Sequence, residues 1–414
     1  MTQDKKSALA YPNFTKLIGM NFFLTLSLMM QEVLVSYELY RVTRDPMSLG
    51  LIGIAVAIPY ISVTLLGGHY ADRSRKKRIM LFAIGCMMLA GILFVIIFMP
   101  RNEHFFTLPN KILLIYVFFG LSGLARGFYQ PAASSLRPLL IPRSLYGNGS
   151  TWNSTAWQLG SISGSLVAGF AYAGLGLQAS LLISLLMMAL AMGLLAGISV
   201  FEKTYNVNEL VKENILLSIR EGFGFVLRNK ILLYSITLDL VAVLFAGVVA
   251  ILPIFAQDIL QVGAQGLGYL RAAPSIGASL GLLLMTKYSP MKNAWRNMII
   301  AVAGFGLATV IFGLSDNFIL SLLMLFFTGA FDSISVVIRG TLLQLIPPDH
   351  LRGRVLAVNN IFVSSSNELG AFESGLAARL LGTVPSVLAG GAVTLGAILL
   401  TWINTKELLK RRFD

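Results

Sequence analysis

Polar residues punctuate this chain so as to leave twelve apolar stretches, at about 14–40, 48–70, 79–99, 111–136, 148–176, 178–201, 230–257, 264–287, 295–315, 317–344, 354–380 and 384–404. A helix needs roughly 20 apolar residues to cross a hydrocarbon core, and these stretches have that length. Strands of a membrane barrel alternate in polarity over about ten residues; these stretches do not. The pattern therefore predicts an all-α membrane protein with twelve transmembrane helices. Composition agrees, because 56% of the 414 residues are hydrophobic and 12% charged, whereas soluble domains carry about 25% charged residues. The apolar surface must face lipid.

Charge then predicts the orientation. With a cytoplasmic N-terminus, Lys and Arg collect in the N-terminal segment, in 71–78, 137–143, 202–230, 287–296 and 352–354, and in the tail. Only Arg41, Arg44, Arg101, Lys111 and Arg379 fall on or toward the opposite side, and Arg126, Arg271 and Arg339 fall within spans. The positive-inside rule gives a multi-pass cell-membrane protein with both termini in the cytoplasm. The same rule accounts for the net charge of +13, so no nucleic acid is expected as a partner. The Ala8-Leu9-Ala10 triplet precedes the first apolar stretch, whereas a leader's cleavage site follows it, so the first helix is expected to persist. A single cysteine, Cys86, and three scattered histidines, His69, His104 and His350, give no metal-ligand spacing. Neither a metal nor another cofactor is expected. The sequence has no Gly-x-x-x-x-Gly-Lys-Ser/Thr loop to cradle a nucleotide.

Sliding the chain against itself by about half its length exposes a repeat. Gly123, Pro142, Leu145, Gly147, Asn153, Gly164, Gly169 and Ala171 meet Gly329, Pro348, Leu351, Gly353, Asn359, Gly370, Gly375 and Ala377 without a gap. A slightly larger shift sets Gly53, Ala57 and Pro59 on Gly268, Ala272 and Pro274. The expected organisation is an N-terminal six-helix bundle over 1–201, a linker over 202–229, and a C-terminal six-helix bundle with a tail over 230–414. Two repeats around a midplane site is a plan used by transporters. In the linker, Leu210, Val211, Ile215, Leu216, Ile219, Phe223 and Val226 recur near helical spacing among charges, which predicts an amphipathic helix on the membrane surface.

The loop between the second and third stretches reads Gly68-His69-Tyr70-Ala71-Asp72-Arg73-Ser74-Arg75-Lys76-Lys77-Arg78. It resembles the Gly-x-x-x-Asp-Arg-x-Gly-Arg-Arg/Lys signature of the major facilitator superfamily, with Arg75 in place of the usual glycine. That departure is similar to the branch of macrolide-efflux and enterobactin-exporting transporters. The resemblance implies two pseudo-symmetric six-helix bundles and a conformational latch made by Gly68, Asp72, Arg73, Lys76 and Lys77. Gly160-Ser161-Ile162-Ser163-Gly164-Ser165-Leu166-Val167-Ala168-Gly169 resembles the superfamily's antiporter motif, with Ser165 replacing its proline and Ala168 one glycine. Gly160, Gly164 and Gly169 would let helix backbones approach closely, and Ala272, Ser275, Ala278 and Gly281 offer a matching small face.

Charges inside the membrane carry the functional expectation, because each costs roughly 2.5–3.5 kcal/mol at a helix centre on insertion scales and so tends to face a cavity or a partner. Glu32, Asp239, Asp332 and Glu368 are the proton-coupling candidates, with Glu32 first. A structural ion pair is the competing reading of Glu32. Gln31, Arg126, Arg339, Asn367, Glu373, Tyr37 and Trp157 are the candidates for the substrate cavity. Asp332 and Arg339 lie seven residues apart, about 10 Å in height on one helix face, so each is expected to find its partner elsewhere. The expected function is secondary export of an amphipathic small molecule, drug-like or siderophore-like, by proton antiport from a monomer in the bilayer; no enzyme activity is expected. A lipid or lysophospholipid translocator, a metabolite importer and a non-transporting receptor are the competing readings.

Overall fold

The computed structural model describes residues 7–73, 75–99, 106–199 and 215–410, with side chains described at all of these except 65–73, 215–219, 361, 364, 409 and 410. Its long elements are α1 (Pro12–Thr43), α2 (Pro46–Arg73), α3 (Lys76–Ile97), α4 (Leu108–Leu136), α5 (Tyr146–Ala196) and α6 (Ile215–Arg228). They continue as α7 (Lys230–Ala246), α8 (Gly263–Lys287), α9 (Ala294–Gly313), α10 (Phe318–Leu345), α11 (Asp349–Leu381) and α12 (Thr383–Asn404). The described residues contain no strand.

Ten segments among the described residues are long and apolar enough to cross a membrane. One of them, α5, is two helical limbs meeting at Gly176, which has φ 79° and ψ 175°. That backbone region is essentially open to glycine alone, so the limbs correspond to two of the expected spans. The 33-residue α11 is not among the ten, because Ser365, Ser366, Asn367, Glu368 and Glu373 lower its apolarity. Counting both limbs and α11 gives the twelve spans that the hydropathy pattern predicts. The expected span at 230–257 is less regular than a single helix. α7 stops at Ala246, and a 3-10 turn (Val249–Ile251) and a π turn (Phe255–Ile259) carry the chain on to Ile259.

The chain packs as two compact units. The first holds the described residues of Met1–Val42, Ala55–Leu210 and Gly263–Ala272; the second holds those of Thr43–Ile54, Val211–Val262 and Ala273–Asp414. In the first unit Phe14, Met20, Met80, Ile84, Met87 and Leu195 form the centre of the core. In the second, Leu232, Trp295, Met298, Ile338 and Leu342 do so, and the Trp295 indole N–H donates to Thr405 Oγ1 at 2.9 Å.

The repeated glycines do equivalent work in each unit. A Cβ at Gly123 of α4 would lie 2.5 Å from the Val56 carbonyl oxygen of α2, and its repeat partner Gly329 of α10 presses on the Pro274 carbonyl of α8. Gly164 sits over the Leu26 carbonyl of α1, and Gly370 sits over the Val243 carbonyl of α7. Gly169 meets Gly268 in the first turns of α8, and Gly375 meets Gly50 in the first turns of α2. The small residues thus set helix–helix distances at matching places in the two halves, as close backbone approach in a membrane requires. Gly281, read from the sequence as part of a partner face for Gly160 and Gly164, packs instead on Ala330 and Ser333 of α10.

The part of the linker that is described, α6, docks on the start of α11. Gly222 lies against Arg354, the Glu221 carboxylate pairs with the Arg354 guanidinium, Phe223 stacks on Phe362 with centroids 6.2 Å apart, and Val226 is buried. Leu210 and Val211 lie outside the described residues.

Candidate functional site

Three helices of the first unit, α1, α4 and α5, supply the polar groups of a cavity to which α3 adds Met87. On α1, Asn21, Thr25 and Leu28 follow at i, i+4 and i+7, and Glu32 at i+11 extends the same face by one turn. Arg126, Tyr129, Gln130 and Ala133 of α4, with Arg137 capping its end in helical conformation, repeat the pattern at i, i+3, i+4, i+7 and i+11. Asn153 and Trp157, one turn apart on the first limb of α5, close the third side. The cavity encloses about 100 Å³, room for several waters.

A hydrogen-bonded chain fixes the register of these helices. The Tyr129 hydroxyl donates to Asn21 Oδ1 at 2.7 Å, and Asn21 Nδ2 donates to Asn153 Oδ1 at 2.6 Å. Gly160, one turn beyond Trp157, makes the approach possible: a Cβ there would fall 2.8 Å from the Phe22 carbonyl oxygen of α1. Arg126 and Arg137 both line the cavity, and neither pairs with a carboxylate among the described residues. Arg137 Nε is buried without a hydrogen-bond acceptor.

Glu32 meets Arg271 of α8, with Nη1 to Oε1 at 2.8 Å. Arg271 is buried, while 36% of the Glu32 side chain remains exposed. Both residues belong to the first unit. Gln31, its neighbour, points elsewhere. It packs on Gly91 of α3 and reaches Ser184 Oγ at 3.4 Å, in the packing of α1 against α3 and the second limb of α5. Tyr37 stacks edge-on with Tyr172 at 5.0 Å, and the Tyr172 hydroxyl donates to Glu38 Oε2 at 2.7 Å. Glu38 in turn accepts from Arg41 at 2.6 Å. Glu38, buried near the end of α1, falls within the 14–40 stretch, so the intramembrane-charge criterion that marks Glu32 was the available signal for it too.

In the second unit the carboxylate of Asp239 on α7 pairs with the Arg339 guanidinium on α10, both deeply buried. Asp332, half-buried two turns away on α10, makes no ion pair with Arg339, as their spacing predicts. On α11, Asn367 is exposed and its side-chain amide donates to the Val363 carbonyl at 3.0 Å, and Glu368 is half-buried. Glu373 faces a small cavity with Phe245, Val248, Ser374 and Ser386. The structure therefore brings Arg126 and Trp157 to one cavity, with Glu32 a turn beyond it. It places Gln31, Tyr37, Asp239, Arg339 and Glu373 in other surroundings.

The side chains of Asp72 and Arg73 and the surroundings of Gly68 lie outside those described. Lys76 is half-buried. Lys77 donates to the Ala196 and Ile198 carbonyls, at 2.7 Å each, and so caps the end of α5. A cation at that position satisfies terminal carbonyls and offsets the helix dipole.

The Major Facilitator Superfamily model matches residues 17–371. Curated relatives named enterobactin exporter EntS, from Shigella dysenteriae serotype 1 (strain Sd197) and Escherichia coli O81 (strain ED1a), are 24% identical over 399 residues, covering 94% of this chain and 91% of theirs. Among solved structures, a point mutant of the nucleoside transporter NupG superposes with a TM-score of 0.78 at 10% identity, covering 95% of this chain and 100% of that one. A D-xylose-proton symporter gives 0.75 at 14% identity, with 98% and 100% covered, and a bacterial homolog of the human lysosomal transporter Spinster gives 0.74 at 15%, with 99% of each covered. These likenesses establish the fold, and with the family match they make this chain a membrane transporter belonging to the Major Facilitator Superfamily.

Proposed function

We propose that this transporter exports an amphipathic organic compound, siderophore-like or drug-like, from the cytoplasm in exchange for protons. The observation that carries the reading is the first unit's cavity, where Arg126, Asn153 and Tyr129 supply polar groups and Leu28, Met29 and Trp157 supply apolar surface. A few convergent polar groups beside a greasy wall suit the polar end of an amphiphile, and at about 100 Å³ the cavity as it stands admits that end, with the rest of the molecule extending past its mouth. The export direction and the siderophore-like class draw support from the distant relatives named as enterobactin exporters.

Glu32 is the coupling acid in this account. Its side chain is 36% exposed, against 7% for Asp239, which is sealed against Arg339. A proton carrier must be reached by water from either side in turn, and Glu32 extends the cavity face of α1 by one turn. Binding of substrate and binding of a proton would each favour a different arrangement of the protein, which is what coupling requires. Asp332 and Glu368 stand as secondary carriers.

Glu32→Gln tests the assignment in proteoliposomes, because the amide keeps a hydrogen bond to Arg271 but cannot exchange a proton. The variant is expected to retain substrate counterflow while losing proton-driven accumulation. Proton-driven accumulation at the wild-type level would remove Glu32 from the mechanism.

A further inference from the structure

We infer that the first unit's cavity selects amphipathic organic anions, with Arg126 and Arg137 as a two-step recognition ladder along one face of α4. The inference rests on the export reading for its physiological meaning and names the substrate class of the same cavity.

Four observations lead to it. Arg126 and Arg137 are eleven residues apart, three helical turns or about 16 Å, and therefore project to one side of α4. Both arginines line the cavity, and no acidic residue lines it with them. The nearest carboxylate, Glu32, lies close enough to act on Arg126 but is paired with Arg271, so the cavity and its rim keep a net positive charge. Arg137 Nε is a buried donor with no acceptor, and a buried donor left unpaired is costly until something accepts from it.

The hydrogen-bond polarity of the amides points the same way. Asn21 Oδ1 accepts from Tyr129, and Asn153 Oδ1 accepts from Asn21. Each amide oxygen is thus occupied inside the network, while the Asn153 amide N–H groups remain to donate. Two guanidinium groups and an amide nitrogen form a set of donors, complementary to a carboxylate, sulfonate, phosphate or ionised phenol. The apolar remainder of such a molecule would lie on Leu28, Met29 and Trp157. A cationic amphiphile would meet two like charges in a site of low dielectric, which is strongly unfavourable.

The test uses the full-length protein in nanodiscs and three probes. Anilinonaphthalene sulfonate carries an aromatic body and an anion, N-phenylnaphthylamine carries the same body without the sulfonate, and tetraphenylphosphonium is an aromatic cation. Protein-dependent binding is expected to be at least about tenfold tighter for the sulfonate than for either other probe. Arg126→Gln and Arg137→Gln should each weaken sulfonate binding by about tenfold, the loss expected when one charge-assisted hydrogen bond is removed. Binding of N-phenylnaphthylamine should stay within about twofold, which also shows that the variants are folded. Arg126→Lys should recover part of the affinity, since a point charge replaces a fork. Equal affinity for all three probes, preference for the cation, or variants that bind the sulfonate as wild type does would overturn the inference. Arginine-dependent binding without transport of any compound would overturn the export reading and leave the anion site standing. Export of neutral or cationic compounds unaffected by both variants would do the reverse.

Discussion

Asp239 and Arg339 form the most deeply buried ion pair in the second unit, with side chains 7% and 5% exposed. Burying two charges is expensive, and removing one of them leaves the other stranded at a cost of about 3–5 kcal/mol. Asp239→Asn is therefore expected to lower the unfolding midpoint sharply in detergent, whereas Asp239→Leu combined with Arg339→Met should recover most of the loss. A single variant that melts with the wild type would show that the pair is not the structural clamp described here. At this scale the sequence was only half legible. The cost of intramembrane charge marks Asp239 and Arg339 as residues needing partners, and their spacing separates Arg339 from Asp332, but nothing in a linear pattern joins α7 to α10. Arg137 was hidden for a different reason: the positive-inside rule absorbs it as a loop charge. Its eleven-residue spacing from Arg126 was the available signal. Gln31 shows the converse, since adjacency to Glu32 on a helix turns a side chain by about 100° and sends it into packing with Gly91 and Ser184.

Among the elements, α5 depends most directly on one backbone conformation. Gly176 has a positive φ, and an added Cβ would meet nothing within 4 Å, while Gly174 two residues earlier is equally open with no unusual φ. The pair separates backbone strain from crowding. Gly176→Ala is expected to destabilise by about 1–3 kcal/mol, and Gly174→Ala to be neutral or slightly stabilising, because alanine loses less entropy than glycine in a helix. Thermal unfolding of both variants checks this, and equal melting would contradict the assigned role. The hydropathy pattern placed a boundary between two spans there and marked it at Gly176 itself. It carried less information about α7, where apolar residues run on past Ala246 and the change to 3-10 and π turns leaves no trace in periodicity. The repeat was legible because glycines at helix crossings tolerate almost no substitute: Gly123, Gly164 and Gly169 and their partners Gly329, Gly370 and Gly375 all meet neighbouring backbone.

For the whole molecule, the twelve spans, the internal duplication and the family followed from the sequence, since each rests on one-dimensional quantities: run length, self-similarity and an ordered set of motifs. Substrate chemistry does not have that form. It depends on which side chains converge from α1, α4 and α5, and the Tyr129–Asn21–Asn153 chain that aligns them crosses more than a hundred residues of sequence. The fold itself hosts many transport functions, so the functional claim rests on the site. That claim is exchange of an organic substrate for protons through an alternating pathway. The most direct test is simultaneous measurement of substrate and proton flux in proteoliposomes holding the wild-type protein under an imposed pH gradient, with an amphipathic organic anion as the first compound. The account predicts that the compound moves against the proton flow and that its addition speeds collapse of the gradient, in protein-containing vesicles only. Transport of the compound with no accompanying proton movement would contradict it.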